Sequence, residues 1–451
     1  MSNYHIFVKK VRDGIFFQSN LLNLRSRLKI YNMYASYSQN NYRSIRVAVI
    51  GAGNRARKYL EYAVMHPDEL EIVAIVDPVN IRLHQLSDKF NIPEENRFGE
   101  YYAFFAANID LDAVMICTPE DKHFEPAMMA IDKGYNILLE KPIAQTLEEC
   151  EAIAKGAKEK NLVVGVCHVL RFHPYFLKIK EIIDSGELGE VISFNHTADI
   201  YLDRVTHGFV RGSWNRAEKT NPMLISKCSH DVDLALWMVG SKCKKVSSFG
   251  SLRWFKAENA PKGAADRCIH CPDHIEKKCP FSAIDLYKVR HDWVANFDVP
   301  EESTLDEVLD RELAQGPYGR CVYHCDNNVA DHQMVNLETE NEVTISFTIN
   351  AFTLNDCRHT QVNLTHGEIA GNEQKLIIRK FRERTTEVLD FSHVSHLPFH
   401  GGSDLKLVAD FVEAVRDRSH QLRTDIQDSL ESHRICYAAE ESRLTGKTID
   451  L

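Results

Sequence analysis

The sequence lacks any apolar run of the roughly 18 residues that a membrane-spanning helix requires. It also lacks a surplus of positive charge, since 54 basic residues stand against 64 acidic ones, for a net charge of −10. Nothing in this balance favours a nucleic acid or a membrane as a partner. Internal repeats and low-complexity tracts are absent as well. A chain of 451 residues that is 44% hydrophobic is typical of a globular protein with about two domains.

The twelve cysteines are scattered along the chain and do not suggest a disulfide framework. Cys117 and Cys167 lie inside apolar segments, which is typical of reduced, buried thiols in a cytosolic protein. We therefore predict a cytoplasmic protein.

Residues 1–43 differ from the rest of the chain because they are basic, poor in acidic residues and weakly patterned. Such a segment could be an organelle-targeting peptide. We instead expect a poorly ordered extension, or translation that begins at Met33, and we exclude these residues from the predicted fold.

Residues 44–166 alternate between apolar strand-like runs and helical segments. The segments "IRVAVIGAGNRARKYLEYAVMH", "ELEIVAIVDPVN", "DLDAVMICTPEDKHFEPAMMAIDKG" and "YNILLEKP" follow one another in this rhythm. Continuous apolar strands separated by helices are typical of a parallel sheet that is covered on both faces. We therefore predict a Rossmann-type, doubly wound α/β domain for this part of the chain.

Residues 167–451 have a different pattern, in which apolar and polar residues alternate in segments such as "GEVISFNHTADIY" and "RHTQVNLTHGEIAGN". Alternation of this kind predicts an open, mainly antiparallel sheet with one solvated face. A cysteine-rich, charged insertion at residues 256–325 interrupts the pattern, and a helical segment closes the chain. We predict an α+β domain for this part of the chain.

The segment "VIGAGNRA" places Gly51, Gly53 and Ala56 in the spacing G-x-G-x-x-A, directly after a predicted strand. The first glycine permits a tight turn, the second lets the backbone approach a pyrophosphate, and the alanine allows close packing of helix and strand. The helix N-terminus offers free N–H groups to phosphates. Within the same turn we predict that Asn54 and Arg55 contact the cofactor, with Arg55 adding a charge-assisted contact.

Asp77 ends the second predicted strand, where a carboxylate can hold the hydroxyls of the adenosine ribose. Because it would also repel a 2′-phosphate, we favour NAD over NADP, although NADP remains an alternative. The other interpretation of these residues is a glycine turn in an α/β domain without a cofactor.

Two further segments follow predicted strands, at the sheet edge where open α/β sheets bind ligands. The first is Cys117-Thr118-Pro119 and the second is Glu140-Lys141-Pro142. A partly buried lysine beside a positively charged cofactor ring should have a lowered pKa, so it could orient a substrate hydroxyl or share its proton. The predicted cofactor contacts from these segments are Thr118, Pro119, His123, Glu140 and Lys141.

The glycine turn, "CTPEDKHFEPAMMAIDKGYNILLEKP" and "SKCSHDVDLALWMVG" together resemble the glucose–fructose oxidoreductase and inositol dehydrogenase (Gfo/Idh/MocA) family. The resemblance extends from residue 45 almost to the C-terminus. It implies a nucleotide-binding domain, an α/β domain whose open sheet often mediates oligomers, and an active site between them. It also implies that Lys141 is catalytic and that the chain forms a homo-oligomer, either a dimer or a tetramer.

In many dehydrogenases of this family a histidine at the start of an "H-x-x-D" helix completes the site, and the matching residue here is His230. The family's usual aspartate four residues earlier is replaced by Ser226, which Lys227 follows. We predict that neutral His230 is the catalytic base and that Asp233, on the same helix face, contacts the substrate. The alternative is that His230 only bonds backbone at the helix start.

Other polar residues in the second domain suit contacts with a sugar. They occur in "GVCHVLRFHP" and "THGFVRGSW". We predict that His168, Arg171, His207 and Arg211 bind the substrate, and the alternative for each is a structural hydrogen bond.

The insertion contains "RCIHCPDHIEKKCPFSA" and "RCVYHCDN". We predict a structural zinc ion bound by Cys268, Cys271, Cys279 and Cys321, because a Cys-x-x-Cys turn brings two thiolates to one tetrahedral ion. The fourth ligand could instead be Cys325, His324, His270 or His274. The zinc would stabilise a polar insertion that has too little apolar content to fold alone. Reduced surface cysteines and a redox dithiol are the alternatives.

The sequence therefore predicts an NAD(P)-dependent oxidoreductase that oxidises or reduces a secondary hydroxyl of a sugar, sugar acid or cyclitol. One alternative is a glycosidase that uses NAD for transient oxidation and elimination. Another is a non-catalytic sensor that keeps the dinucleotide site.

Overall fold

The computed structural model describes residues 43–395 and 398–451, so residues 1–42 of the predicted extension lie outside the described part of the chain. No helix in that part is long and apolar enough to span a membrane.

The first sheet is parallel and has the strand order β3-β2-β1-β4-β5-β6. Its strands are β1 (Ile45–Ile50), β2 (Leu70–Val76), β3 (Arg97–Phe98), β4 (Ala113–Ile116), β5 (Asn136–Leu139) and β6 (Val164–Val166). The predicted doubly wound parallel sheet is confirmed.

Six helices accompany this sheet and bury one face each. They are α1 (Asn54–Tyr59), α2 (Glu61–Met65), α3 (Asn80–Lys89), α4 (Tyr101–Ala106), α5 (Phe124–Lys133) and α6 (Leu147–Glu159). Helix α6 begins with a capping box, in which the Thr146 hydroxyl accepts the N–H of Glu149 and the Glu149 carboxylate accepts the N–H of Thr146. Its buried residues Cys150, Ile153 and Ala157 recur at helical spacing.

The second sheet has nine strands in the order β14-β13-β12-β11-β7-β10-β9-β8-β15 and is antiparallel except between β7 and β10. Its strands are β7 (Val191–Tyr201), β8 (Cys243–Ser251), β9 (His332–Thr339), β10 (Thr344–Thr353), β11 (Cys357–Leu364), β12 (Gly367–Asn372), β13 (Lys375–Lys380), β14 (Thr385–Asp390) and β15 (Ile449–Asp450). The expected open, mainly antiparallel sheet is confirmed.

One face of this sheet is covered and the other, which we call the outer face, is open. In β7 the residues Phe194, Ala198 and Ile200 are buried, whereas Asn195 and Thr197 face outward. The helices α7 (Pro174–Ser185), α8 (Leu202–Val205), α9 (Met223–Ser226), α10 (Ser229–Val239) and α16 (Ile426–Thr445) contribute buried residues to the hydrophobic core on the covered face. This alternation is the physical cause of the period-two pattern in the sequence.

The insertion at residues 256–325 folds as short helices and turns, including α11 (Asp273–Glu276) and α12 (Leu305–Gln315). It has a small hydrophobic core of its own, formed by Cys268, Ala283, Leu286, Tyr287, Leu309 and Leu313. The sequence suggested too little apolar content for such a core. The structure differs because apolar residues that are far apart in the insertion meet around Tyr287.

The chain then returns to the first sheet. After α13 (Ser392–Ser395) and α14 (Pro398–Gly401), helix α15 (Ser403–Arg416) packs against α1, α2 and β1. Its buried residues Leu405, Val408 and Phe411 share a core with Val47 and Ile72 of the parallel sheet. Residues from the end of the chain therefore complete the surroundings of the glycine turn.

The glycine turn after β1 is shaped by a close approach of the backbone. Gly51 has φ +96°, and a Cβ atom there would lie 2.7 Å from the carbonyl carbon of Cys117. Gly53 has φ −76°, and a Cβ atom there would meet nothing within 4 Å. Only the first glycine is thus required by the fold itself.

We expect Gly51→Ala to lower the free energy of unfolding by about 2–4 kcal/mol, because the new methyl group overlaps the Cys117 carbonyl and the backbone must be left-handed. Gly53→Ala is the matched control and should change it by less than about 1 kcal/mol. Urea denaturation of the two variants and the parent measures the difference. Equal stabilities would contradict this account of the turn.

Candidate active site

The glycine turn fits a dinucleotide. The space beside Gly53 is free of protein atoms within 4 Å of a Cβ position, which leaves room for a pyrophosphate at the start of α1. Next to it, the Asp77 carboxylate accepts the N–H of Ala52 (2.7 Å) and the N–H of Val79 (2.8 Å). A carboxylate has about four acceptor positions, so Asp77 retains capacity for ribose hydroxyls.

The insertion lies over the same turn. The amide nitrogen of Asn54 is 3.5 Å from the Asn296 side-chain oxygen. Arg82, at the start of α3, forms an ion pair of 2.7 Å with Asp298. These contacts join residues 296–298 of the insertion to the start of α1, at the glycine turn, and to the start of α3.

Arg55 belongs to a buried ion-pair network beneath the turn. Its Nε donates to Glu140 (2.7 Å), and its Nη2 donates to Asp404 of α15 (2.7 Å) and to the Tyr59 hydroxyl (2.6 Å). The structure thus gives Arg55 an ion-pair role, and its predicted phosphate contact stays a prediction.

Glu140 is ionised within this network. Burial raises the pKa of its carboxyl group, but the charges of Arg55 and Lys141 and the Tyr59 hydroxyl outweigh burial and leave the pKa lowered. The carboxylate also accepts the backbone N–H of Lys141 at 2.9 Å. The ionised side chain before Lys141 therefore fixes the backbone from which the lysine projects.

Lys141 reaches from the first sheet to the second domain. Its Nζ donates to the backbone carbonyl of Ser226, at the end of α9. The Ser226 hydroxyl donates to Glu120 (2.7 Å), and Glu120 also accepts from Asn221 (3.1 Å). Burial lowers the pKa of Lys141, partly offset by Glu140 and Glu120. The amine therefore lies at the junction of the two halves of the molecule.

His230 is buried at the start of α10, with 9% of its surface exposed. Burial lowers the pKa of its imidazole well below the usual range, and Lys141 and His168 lower it further. Among these charged groups, Lys141 has the largest effect on the pKa of His230. The His230 Nδ1 atom has no hydrogen-bond partner.

His123 connects the two strand ends at this edge of the sheet. Its Nδ1 is 2.8 Å from the Pro142 carbonyl and its Nε2 is 3.0 Å from the Thr118 carbonyl. Thr118 and the exposed Pro119 follow β4 beside the glycine turn. The predicted cofactor residues from both segments are thus held at one edge.

Arg171 and Asp233 form a bidentate ion pair with two distances of 2.7 Å, and Arg171 also donates to the carbonyl of Arg423. His168 is fully buried beside this pair, and its ring lies 5.5 Å from that of His230. Neither nitrogen of His168 has a hydrogen-bond partner. The structure gives Arg171 and Asp233 protein partners, and their substrate contacts stay predictions.

His207 and Arg211 lie against the insertion. The His207 ring stacks on Tyr318 at 4.5 Å and on Trp293 at 5.4 Å. Arg211 is buried and donates to the carbonyls of Arg320 (2.7 Å) and Phe281 (2.5 Å). These contacts tie the insertion to the second domain, and a substrate contact of either residue is not shown.

The four predicted zinc ligands surround one small apolar cavity. However, no three of their sulfur atoms come within 4.8 Å of one another in the described part of the chain. The structure therefore does not show a zinc site in the insertion.

Several residues of the candidate site and of the Arg55–Glu140 network were missed by the sequence analysis. They are Tyr59, Glu120, Asn221, Lys227 and Asp404. Lys227 has no hydrogen bond or ion pair through its side chain within the described residues. Burial, with Arg204 and Arg358, lowers its pKa to about 7. Lys227 and Glu120 stand inside quoted motifs, next to residues that were chosen, whereas Asp404 gives no local signal.

Two family models match the chain. "Oxidoreductase family, NAD-binding Rossmann fold" matches residues 45–168, and "GFO/IDH/MocA C-terminal domain" matches residues 176–270.

Among curated proteins, the chain is 28% identical over 212 residues to scyllo-inositol 2-dehydrogenase (NAD(+)) of Bacillus subtilis. This match covers 46% of the chain and 58% of the relative, so the chain spans less than two thirds of that relative's length.

Two solved structures share the fold. Levoglucosan dehydrogenase in complex with NADH and L-sorbose has a TM-score of 0.67 at 19% identity and covers 91% of this chain and 99% of its own. Myo-inositol dehydrogenase from Corynebacterium glutamicum has a TM-score of 0.59 at 16% identity, and the match covers 90% of this chain and 99% of that chain. With the glycine turn, the two sheets and both domain matches in place, the chain belongs to the Gfo/Idh/MocA oxidoreductase family.

Proposed function

We propose that this protein is an NAD-dependent oxidoreductase that acts on a secondary hydroxyl of a sugar, sugar acid or cyclitol. The observation that carries the proposal is the contact of Lys141 with the Ser226 carbonyl, beside a neutral His230. Residues 44–166 would bind the dinucleotide and residues 167–451 the substrate. The bound nicotinamide would supply the redox chemistry.

In this proposal the chain supplies position and proton transfer. Lys141 would donate a hydrogen bond to the substrate oxygen, because Glu140 fixes its backbone and burial makes its proton easier to lose. His230 would accept the hydroxyl proton, since its imidazole is neutral in the pH range of most enzymes. The Ser226 carbonyl would hold the amine when no substrate is bound.

NAD is the preferred cofactor in this proposal. The buried Asp77 carboxylate beside the turn would repel a 2′-phosphate. Arg82, a nearby cation, is already paired with Asp298.

Lys227 favours a sugar acid within the proposed substrate class. Its ammonium group is unpaired in the described part of the chain, and it precedes His230 by three residues. Its charge also contributes to the lowered pKa of His230. A substrate carboxylate would provide the missing partner.

We also propose a homo-oligomer, a dimer or tetramer, that assembles through the outer face. Phe249, Met334 and Phe352 project from this face and are 63%, 44% and 47% exposed, which is unusual for large apolar side chains on a solvated sheet.

All twelve cysteines are free thiols, in line with the proposed cytoplasmic location.

We expect Lys141→Met to lower kcat by about 10²- to 10⁴-fold, because the variant keeps the shape of the side chain but loses its proton and charge. The dissociation constant for NAD should change by less than about threefold, since the turn is untouched. Lys122→Met is the matched control, because this lysine is exposed. Stopped-flow kinetics and fluorescence titration separate the two effects. Full turnover in the Lys141 variant would contradict the proposal.

A screen of polyols, sugars and sugar acids against the purified protein tests the reaction class. We expect NADH to accumulate in step with the oxidised product, because a dehydrogenase makes one for each turnover. The readout is nicotinamide fluorescence together with product analysis. Release of free sugar from a glycoside with no net change in nicotinamide would instead identify the redox-neutral glycosidase. Dinucleotide binding without turnover would identify the sensor.

For a uronic acid substrate, we expect kcat/KM to fall as the pH rises above about 7, by about tenfold per unit at the limit. Lys227 loses its positive charge in that range. The nearby Arg358, Asp231 and Asp356 should keep their charges there, because the pKa of the arginine is raised and the pKa values of both aspartates are lowered. The neutral cyclitol myo-inositol should not show this fall, and Lys227→Met should remove it for the acid. Identical profiles for both substrates would argue against the carboxylate contact.

A further inference from the structure

Three side chains of different chemistry meet on the outer face of the second sheet. Asp199 lies in β7, and Cys357 and His359 lie in the neighbouring strand β11. Cys357 is paired directly with Asp199 in the antiparallel register, and His359 is two residues further along. Because side chains alternate between the faces of a strand, all three project to the same side.

Their ligand atoms are within reach of a single ion. The His359 Nε2 atom is 3.2 Å from Asp199 Oδ2 and 3.4 Å from Cys357 Sγ, and the three atoms lie within 4.8 Å of one another. Bonds of about 2.0–2.3 Å to a tetrahedral zinc ion place neighbouring ligand atoms about 3.3–3.6 Å apart. The observed distances are close to those values.

Hydrogen bonding alone satisfies this arrangement poorly. One ring nitrogen of His359 faces both the carboxylate and the thiol, and it carries either one proton or one lone pair. If it donates to Asp199, it cannot accept the thiol proton; if it accepts that proton, its lone pair faces the carboxylate. A cation between the three atoms removes this conflict, since all three then act as donors of lone pairs.

The carboxylate is already oriented. The side-chain nitrogen of Asn350, in β10, donates to Asp199 Oδ1 at 2.9 Å. The other oxygen, Oδ2, is thereby directed at His359. A fixed second contact of this kind is what metal ligands in proteins commonly have.

We propose that Asp199, Cys357 and His359 bind a divalent transition-metal ion of the zinc type, with water in the fourth position. The ligand set combines a thiolate, an imidazole and a carboxylate, which suits zinc rather than magnesium or calcium. Binding replaces the S–H bond of Cys357 by a sulfur–metal bond and releases the proton to solvent. The dipositive ion then balances one thiolate and one carboxylate.

This site is separate from the cysteines of the insertion. It is the one group of three or more such ligand atoms found at this spacing in residues 43–395 and 398–451. A metal here would tie β7 to the beginning of β11. Arg358, between Cys357 and His359, projects to the covered face and forms an ion pair with Asp231, next to His230.

Titration of the full-length, metal-stripped protein with Co²⁺ tests the proposal. We expect the parent chain to bind one cobalt ion at this site with the intense absorption of a thiolate ligand. Cys357→Ser should abolish that absorption and weaken binding by at least about tenfold, and His359→Ala should weaken it similarly. Unchanged NAD binding shows that each variant is folded.

Cys271→Ser, in the insertion, is the matched control and should leave the signal unchanged. If the absorption disappears in Cys271→Ser and persists in Cys357→Ser, the ion is bound in the insertion and the proposal fails. A parent chain that binds no cobalt beyond the Cys357→Ser level also overturns it.

Discussion

A buried carboxylate needs compensating positive charge and hydrogen-bond donors, and Glu140 obtains most of them from a distant helix. It accepts hydrogen bonds from Arg55 and Tyr59 of α1 and from the backbone N–H of the neighbouring Lys141. Arg55 in turn requires Asp404 from α15. Removing one partner of such a network typically costs about 3–5 kcal/mol, because the remaining charge is left buried and unpaired. The position of Lys141 therefore depends on a network that spans most of the sequence.

The same network explains why the two halves of the molecule meet where they do. The Lys141 amine donates to the Ser226 carbonyl in the second half of the molecule, and the Ser226 hydroxyl donates to Glu120 of the first half. This serine replaces the aspartate that the family usually has at that place. Burial lowers the pKa of the Lys141 amine, partly offset by Glu140 and Glu120. Burial, together with the charge of Lys141, lowers the pKa of His230 and keeps its imidazole neutral.

Periodicity and turn chemistry were enough to predict both sheets and the strand ends that form the candidate site. The alternation in β7 and the apolar runs of β1, β4 and β5 follow directly from which faces are covered. Partners that are far apart in sequence could not be predicted in this way. Asp404 is 349 residues from Arg55, and no local pattern connects them. His207 and Arg211 were chosen as polar residues near the site, but their contacts depend on the path of an insertion that has no periodicity.

The return of α15 to the first sheet has a consequence for biosynthesis. Leu405, Val408 and Phe411 fill the side of that sheet next to β1, yet a ribosome releases them long after all six parallel strands have left the exit tunnel. The apolar side of the nascent nucleotide-binding half therefore stays uncovered until α15 has been synthesised. Folding intermediates of this chain should accordingly bind chaperones that shield exposed hydrophobic surface during synthesis.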